Sequence, residues 1–331
     1  MNSPIKPNPD KAVVITIDER HQDQRLDNFL HVVCKGVPRS HIFRIIRSGE
    51  VRVNKGRAEA KTKLQIGDVV RVPPIKVKEN QLVDAVNSPD LSRKAAVSGQ
   101  SIPVLFEDEH LLVVNKPSGM AVHGGSGASF GVVESLRAHR VDIARHIELV
   151  HRLDRETSGV LVLAKKRSAL RTLQEQLRAR SWKKFYFALA VGHWPSGLKQ
   201  VDLPLLKTQA SEKEARVFVH PEGDASLTKF KVLQRFKLDS LEFSLLQAQL
   251  MTGRTHQIRV HTSANKHALA GDDRYGDFEL NKRLTRLGLK RMFLHAARVQ
   301  FTHPATNAPI VLEAPLAPEL DTFLRSLQVL P

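Results

Sequence analysis

Apolar positions near the start of the chain recur twice with a helical period. From Arg25, the residues Leu26, Phe29, Leu30 and Val33 fall at helical spacing and Gly36 follows as a stop, which predicts a short amphipathic helix. A second helix is expected from Pro38 or Ser40. At about 100° per residue, Ile42, Ile45 and Ile46 share one face, Arg44 and Arg47 lie opposite, and Gly49 ends the run. Val51 and Val53 then alternate with polar residues, Asn54-Lys55-Gly56 reads as a turn, Val69 to Val72 as a strand, and Pro73-Pro74 as the close of the unit. Residues 75 to 100 are rich in Asn, Ser, Gly and Pro without a sustained period and read as a linker.

Beyond Pro103 the pattern turns to strands. They are expected at Val104 to Phe106, Leu111 to Val114, Gly159 to Ala164, Phe185 to Val191, Lys229 to Phe236, Leu241 to Leu250, Phe293 to Phe301 and Ile310 to Glu313. Helices fit Gly131 to His139, Ser168 to Arg178, Thr255 to Asn265 and Pro318 to Leu327. Strand-strand units outnumber strand-helix-strand ones, so the pattern predicts an α+β fold: a mixed, largely antiparallel sheet with peripheral helices, plus a small α/β module. The expected division is an extension over 1–18, the module over 19–84, a linker over 85–100 and the larger domain over 101–331.

A chain of 331 residues, 41% of them hydrophobic, is long enough for two cores at roughly 150 residues per domain. Apolar runs such as Val160 to Ala164 are far too short to span a bilayer, and the N-terminus has no signal-peptide core, so a cytoplasmic protein is expected. The single cysteine, Cys34, excludes an internal disulfide and a multi-thiolate zinc site, and its apolar neighbours mark it as buried filler. Fifty-one Lys and Arg against thirty-four Asp and Glu leave a formal charge of +17, which favours a polyanion: nucleic acid or an anionic membrane surface. The charge is uneven. Residues 20 to 63 hold eleven Lys or Arg and four Asp or Glu. Arg39, Arg44, Arg47, Arg52, Lys55 and Arg57, backed by Lys61 and Lys63, can meet successive phosphates.

The densest chemistry is His151-Arg152-Leu153-Asp154-Arg155-Glu156-Thr157-Ser158-Gly159, a loop feeding the apolar strand that follows. Asp154 sits between two arginines that favour a carboxylate, ahead of a Thr-Ser-Gly stretch suited to a tight turn. On the residues alone it is either a nucleophile or base, or one member of a structural ion-pair turn. His256 and His261 are five apart, about 140° around a helix, so no shared metal site is expected, and clustered carboxylates for a two-metal nuclease are absent. Gly124-Gly125-Ser126-Gly127 lacks the Lys-Ser/Thr ending of a nucleotide-binding loop and reads as an RNA-facing turn at best.

Two resemblances sharpen this picture. RLDNFL, GVPRSHIFRIIRSGEVRVNKGRA and LQIGDVV resemble the ribosomal-protein-S-four-like module, a compact RNA-binding unit. HRLDRETSG is similar to the HRLDxxTSG signature of the pseudouridine synthases that act on large-subunit ribosomal RNA and some transfer RNAs. NKPSGMAVHGG, KKFYFALAVG, LMTGRTHQIRVH, GDDRYG and RMFLHA follow the same family in order over roughly 101–325. The resemblance implies isomerisation of uridine on a flipped-out nucleotide, without cofactor, by Asp154 attacking the anomeric carbon, adding to the ring or removing the 2′ proton. It further implies that Tyr186 stacks on the uracil and relays the C5 proton, that Arg254 pairs with Asp154, and that Arg152, Leu294 and Arg291 contact the substrate. The partner so implied is ribosomal RNA of the large subunit or its assembly precursor, met by a monomer away from membranes. A transfer-RNA enzyme or a non-catalytic ribosome-assembly factor are the alternatives.

Overall fold

The computed structural model describes residues 10–18, 21–34, 37–75, 102–124, 131–140, 143, 147–208 and 216–331. The expected linker over 85–100, and Gly125 to Gly127 of the glycine loop, lie outside them. The chain divides into two compact units, Met1–Ser98 and Gly99–Pro331.

In the first unit, β1 (Val13–Thr16), β2 (Arg52–Val53) and β3 (Val69–Val72) form a three-stranded antiparallel sheet in the order β1-β3-β2, beside α1 (Leu26–Val33) and α2 (Arg39–Arg47). Leu26, Phe29 and Leu30 of α1 share one core with Ile42, Ile45 and Ile46 of α2 and with Ile15, Val51 and Val70, as the helical spacing requires. Cys34 is buried in the same core, and burial pushes its thiol up to about 11, which makes it inert filler. The expected extension over 1–18 needs correction, since β1 pairs with β3 through Val13↔Val72 to Thr16↔Val69 and so belongs to the module. The β1 run Val13-Val14-Ile15-Thr16 is only four residues long and has no apolar/polar alternation to mark it.

The second unit is built on an eleven-stranded, mostly antiparallel sheet. Its elements, in order, are β4 (Val104–Glu107), β5 (Leu111–Lys116), α3 (Val132–His139), β6 (Glu148–Leu149), β7 (Ser158–Ala164), α4 (Arg167–Arg178), β8 (Lys183–Val191), β9 (Gln200–Asp202), β10 (Leu205–Lys207), β11 (Val217–Val219), β12 (Leu227–Leu238), β13 (Leu241–Leu250), α5 (Gln257–Ala264), α6 (Phe278–Arg286), β14 (Leu294–Thr302), β15 (Pro309–Glu313), α7 (Pro318–Ser326) and β16 (Gln328–Leu330). The main path runs β16-β12-β13-β8-β14-β7-β5-β4, with β15 on β14, β6 on β7 and β9 on β12, while β10 and β11 form a separate hairpin. No helix among the described residues is long and apolar enough to cross a membrane.

Strand β7 is buried at every residue: Leu161 and Leu163 face one core, Val160 and Val162 another. This is why it reads as a continuous apolar run rather than an alternating one. Helix α6 escapes the sequence pattern because its apolar stripe is short, Leu284 being its only buried residue with Leu280 partly buried beside it, although Asp277 caps it by accepting from the Leu280 N–H. Helix α5 begins at Gln257 rather than Thr255, because His256 takes a left-handed conformation (φ 53°) that ends the approach loop.

The parallel pairing of β7 with β14, limited to Ser158↔His295 and Gly159↔Ala296, brings the strand after the Asp154 loop onto β14, which in turn pairs with β8 through Ala296↔Tyr186. The approach is so close that a Cβ on Gly159, at φ 110°, would run into the Ala296 carbonyl. Gly159→Ala should therefore cost at least ~3 kcal/mol, whereas Gly288→Ala, at φ 105° with nothing within 4 Å of the added carbon, should cost only about 1–2 kcal/mol. Denaturant titration of both variants checks the difference, and equal midpoints would contradict it.

Candidate active site

The loop that carries Asp154 is pinned from several sides. His151, half-buried and held neutral because desolvation of its ring brings its pKa down to about 3, accepts the Val162 N–H at 3.1 Å. Leu153 is anchored in the main core, and the Thr157 N–H closes a turn onto the Asp154 carbonyl at 3.1 Å. The Arg155 carbonyl accepts from Gly119 N–H at 2.9 Å and from Lys116 Nζ at 2.9 Å, and the Ser118 hydroxyl donates to the Glu156 carbonyl at 2.7 Å. Lys116 is the least expected of these anchors, since its ammonium is fully buried and also donates to the carbonyls of Pro117 (2.8 Å) and Met120 (2.6 Å). Burial pulls it down to about 7. Three carbonyl acceptors nevertheless match the three donors of the charged form.

So held, Asp154 keeps its side chain 28% exposed and faces a cation from α5. Nη1 of Arg259 lies 3.7 Å from Asp154 Oδ2, while Nε and Nη2 bond Asp272 side-on at 2.7 and 2.6 Å. Burial pushes the Asp272 carboxyl up, but the Arg259 guanidinium and the N–H groups of Arg274 and Tyr275 outweigh it and hold the group below the usual carboxylate range. The Tyr275 ring covers the guanidinium, its centroid 5.1 Å from Cζ. His256 Nε2 stands 4.0 Å from Asp154 Oδ2, and its Nδ1 is 2.8 Å from the Tyr275 hydroxyl.

Tyr186 shares a core with Leu153 of the Asp154 loop and Leu294 of β14. Its phenol is pushed up by burial and by the charge of Asp154, and its hydroxyl has no hydrogen-bond partner among the described residues. Arg152 is exposed, with no ion pair among the described residues.

The structure corrects one expectation. Arg254 does not pair with Asp154: it lies ahead of α5, its N–H donates to Gln257 Oε1, and its guanidinium turns outward to Asp224 (3.2 Å) and the Ala225 carbonyl. Arg259, the third residue of α5, takes that position instead. The Arg291 guanidinium is bound to Glu319 (2.8 Å), the Ser158 hydroxyl (2.8 Å) and the Leu294 carbonyl (3.1 Å). It ties β7 to the start of β14. Arg259, Asp272, Tyr275 and Lys116 have no individual signal in the sequence, and His256 draws notice there only through its spacing from His261. The family-like blocks mark the stretches, but only the fold converges them.

In the first unit, Arg39, Arg44 and Arg47 occupy the exposed face of α2, with Arg44 3.7 Å from Glu50. Lys55 sits in the turn after β2 with φ 67°, Arg52 is half-buried opposite Arg71, and Arg57 lies against Gly49 with a 3.5 Å contact to the Ser48 carbonyl.

Comparison with known proteins bears on both units. The family described as RNA pseudouridylate synthase matches residues 110–264, and the S4 domain matches residues 24–70. A protein of Escherichia coli strain K12 named ribosomal large subunit pseudouridine synthase C is 52% identical over 320 residues, covering 96% of this chain and 97% of that protein. The protein of the same name from Vibrio vulnificus is 49% identical over 318 residues, covering 96% and 97%. Among solved structures, Human RNA Pseudouridylate Synthase Domain Containing 4 aligns with a TM-score of 0.56 at 26% identity over 73% of this chain and 98% of that one. Human RNA Pseudouridylate Synthase Domain Containing 1, at 23% identity over 70% and 89% with a TM-score of 0.57, shares the fold.

The Lys116 anchor is directly testable. Lys116→Met keeps the length and apolar stem but leaves three carbonyls without their charged donor, so it should destabilise the second unit by about 2–4 kcal/mol. Hydrogen exchange should quicken first at Gly119 and Thr157, and unchanged protection there would contradict the anchoring role.

Proposed function

The chain belongs to the RNA pseudouridylate synthase family, and on that premise we propose that it converts particular uridines of large-subunit ribosomal RNA to pseudouridine with Asp154 as the reacting carboxylate. What carries the reading is the convergence on one carboxylate of a buried, internally fixed guanidinium, Arg259, and a tyrosine with an uncommitted hydroxyl, Tyr186. The reaction breaks the N1–C1′ bond, turns the uracil and forms C5–C1′, with the C5 proton lost and N1 protonated. Nothing is oxidised or hydrolysed, so the chain's own side chains are sufficient in kind.

An extruded uracil needs an apolar bed and a group for its C5 proton. Tyr186 and Leu294 supply the bed from one core face, and the Tyr186 hydroxyl is free to relay the proton. Asp154 attacks C1′, adds to the ring or removes the 2′ proton: each route requires a carboxylate held at the sugar edge of the base. Arg259 orients it, while Arg152, exposed and without an ion pair among the described residues, is available to the RNA. Arg254, outside the carboxylate's shell, is assigned to the RNA backbone at the mouth, and Arg291 to the scaffold. The relatives' names point to the large subunit as the source of the substrate. The protein is assigned to the cytoplasm, as a monomer acting on that RNA or its assembling precursor.

The module's basic face adds affinity rather than chemistry. Each phosphate contact releases counterions and steepens the dependence of log affinity on log salt by roughly 0.7 to 0.9.

Two measurements test this division. Incubating unmodified ribosomal RNA with Asp154→Asn should yield no pseudouridine at single-nucleotide resolution while RNA affinity stays within about twofold; turnover by this variant would remove Asp154 from its role. The double variant Arg39→Ala/Arg47→Ala should flatten the salt slope by roughly 1.4 to 1.8 while leaving the single-turnover rate at saturating RNA intact, and an unchanged slope would take these residues off the RNA.

A further inference from the structure

We infer that His256 is a positioning residue: neutral and protonated on Nε2, it presents that N–H to Oδ2 of Asp154, and Tyr275 fixes this tautomer. The inference rests on the reading of Asp154 as the reacting carboxylate.

Hydrogen-bond accounting assigns the proton. The Tyr275 hydroxyl oxygen accepts the Val217 N–H at 3.1 Å, so its own proton needs an acceptor. Among the described residues the one within reach is His256 Nδ1, at 2.8 Å. A nitrogen that accepts carries no proton, so the neutral ring carries it on Nε2. That nitrogen points at Asp154 Oδ2 from 4.0 Å, a separation that a small closure on bound nucleotide turns into a hydrogen bond. Arg259 Nη1 approaches the same oxygen from 3.7 Å. Two donors therefore converge on Oδ2, and Oδ1 is left for the substrate.

The surroundings keep the ring neutral. Burial opposes its charging, and Arg259 and Arg274 on one side offset Asp154 and Asp272 on the other. A neutral donor orients the carboxylate without adding a second full charge beside Arg259. The backbone bears a cost for this placement: His256 is a non-glycine residue at φ 53°, on the residue that opens α5, where a strained conformation of about 1–3 kcal/mol persists only if its surroundings enforce it. Tyr275 enforces it twice, through the hydrogen bond and through edge-on ring packing at 5.6 Å. Because Val217 opens β11, the hairpin β10–β11 is linked through Tyr275 to the carboxylate.

The test combines a direct readout with a rescue. In the full chain labelled with 15N-histidine, the His256 signals, assigned by their absence from His256→Gln, should show Nε2 protonated and Nδ1 bare near neutral pH, and Tyr275→Phe should lose that preference. At saturating RNA the single-turnover rate should fall about ten- to a hundredfold in His256→Ala, the worth of one hydrogen bond to a charged group. His256→Gln, whose amide restores a donor near Nε2, should recover most of it, with RNA affinity unchanged in all three variants. A proton on Nδ1 in the unaltered protein, or a His256→Gln rate no better than that of His256→Ala, would overturn the inference. If the unaltered protein makes no pseudouridine, the functional reading fails, and the nitrogen shifts still decide the tautomer.

Discussion

The buried ion pair between Arg259 and Asp272 fixes the cation that Asp154 faces. A guanidinium removed from water is costly unless its donors are matched, and here two nitrogens meet both oxygens of a fully buried carboxylate while a tyrosine ring covers the flat face. The third nitrogen then has a set direction, toward the half-exposed carboxylate at the loop tip. A free surface arginine would have to be ordered at each encounter. One already locked supplies its orientation in advance, which is the physical content of preorganisation.

Around that pair the scaffold works through close backbone contact. Gly159 lets β7 reach β14, Arg291 clasps Ser158 to the start of β14, and Lys116 gathers the carbonyls beneath the Asp154 loop. The Lys116 and Arg291 side chains are largely removed from water and bonded within the fold, so they are little screened by salt and act on geometry. The basic face of α2 is the opposite kind of electrostatics: exposed, screened and long in reach, suited to collecting a polyanion but not to aligning an atom. The two units thus divide affinity and alignment between surface charge and buried charge.

Much of this was legible in the sequence. The strands from β4 to β14 that carry the core announce themselves by apolar runs, and α1 and α2 by their helical period, because burial imposes both patterns. Helix α6 and the short strands β9, β10 and β11 do not, having one buried side chain or only three residues each. In the site, Asp154 and Tyr186 stand out by motif. The resemblance points to Arg254 as the partner of Asp154, but Arg254 turns to Asp224 and Arg259 faces Asp154, and the left-handed turn at His256 between the two arginines leaves no mark in residue type. The burial of Arg259 depends on Asp272, thirteen positions further on, a pairing that only the folded chain displays.

The central claim is that Arg259, held by Asp272, is the cation that aligns the reacting carboxylate, and that Arg254 is not. Single-turnover pseudouridine formation at saturating ribosomal RNA, compared between Arg259→Lys and Arg254→Ala in variants shown to be folded, tests it most directly. Lysine keeps the charge but cannot bond Asp272 side-on and Asp154 together, so the rate should fall about a hundredfold, whereas the Arg254→Ala defect should vanish as RNA saturates. A near-normal rate for Arg259→Lys alongside an Arg254→Ala enzyme that stays slow at saturation would contradict the account.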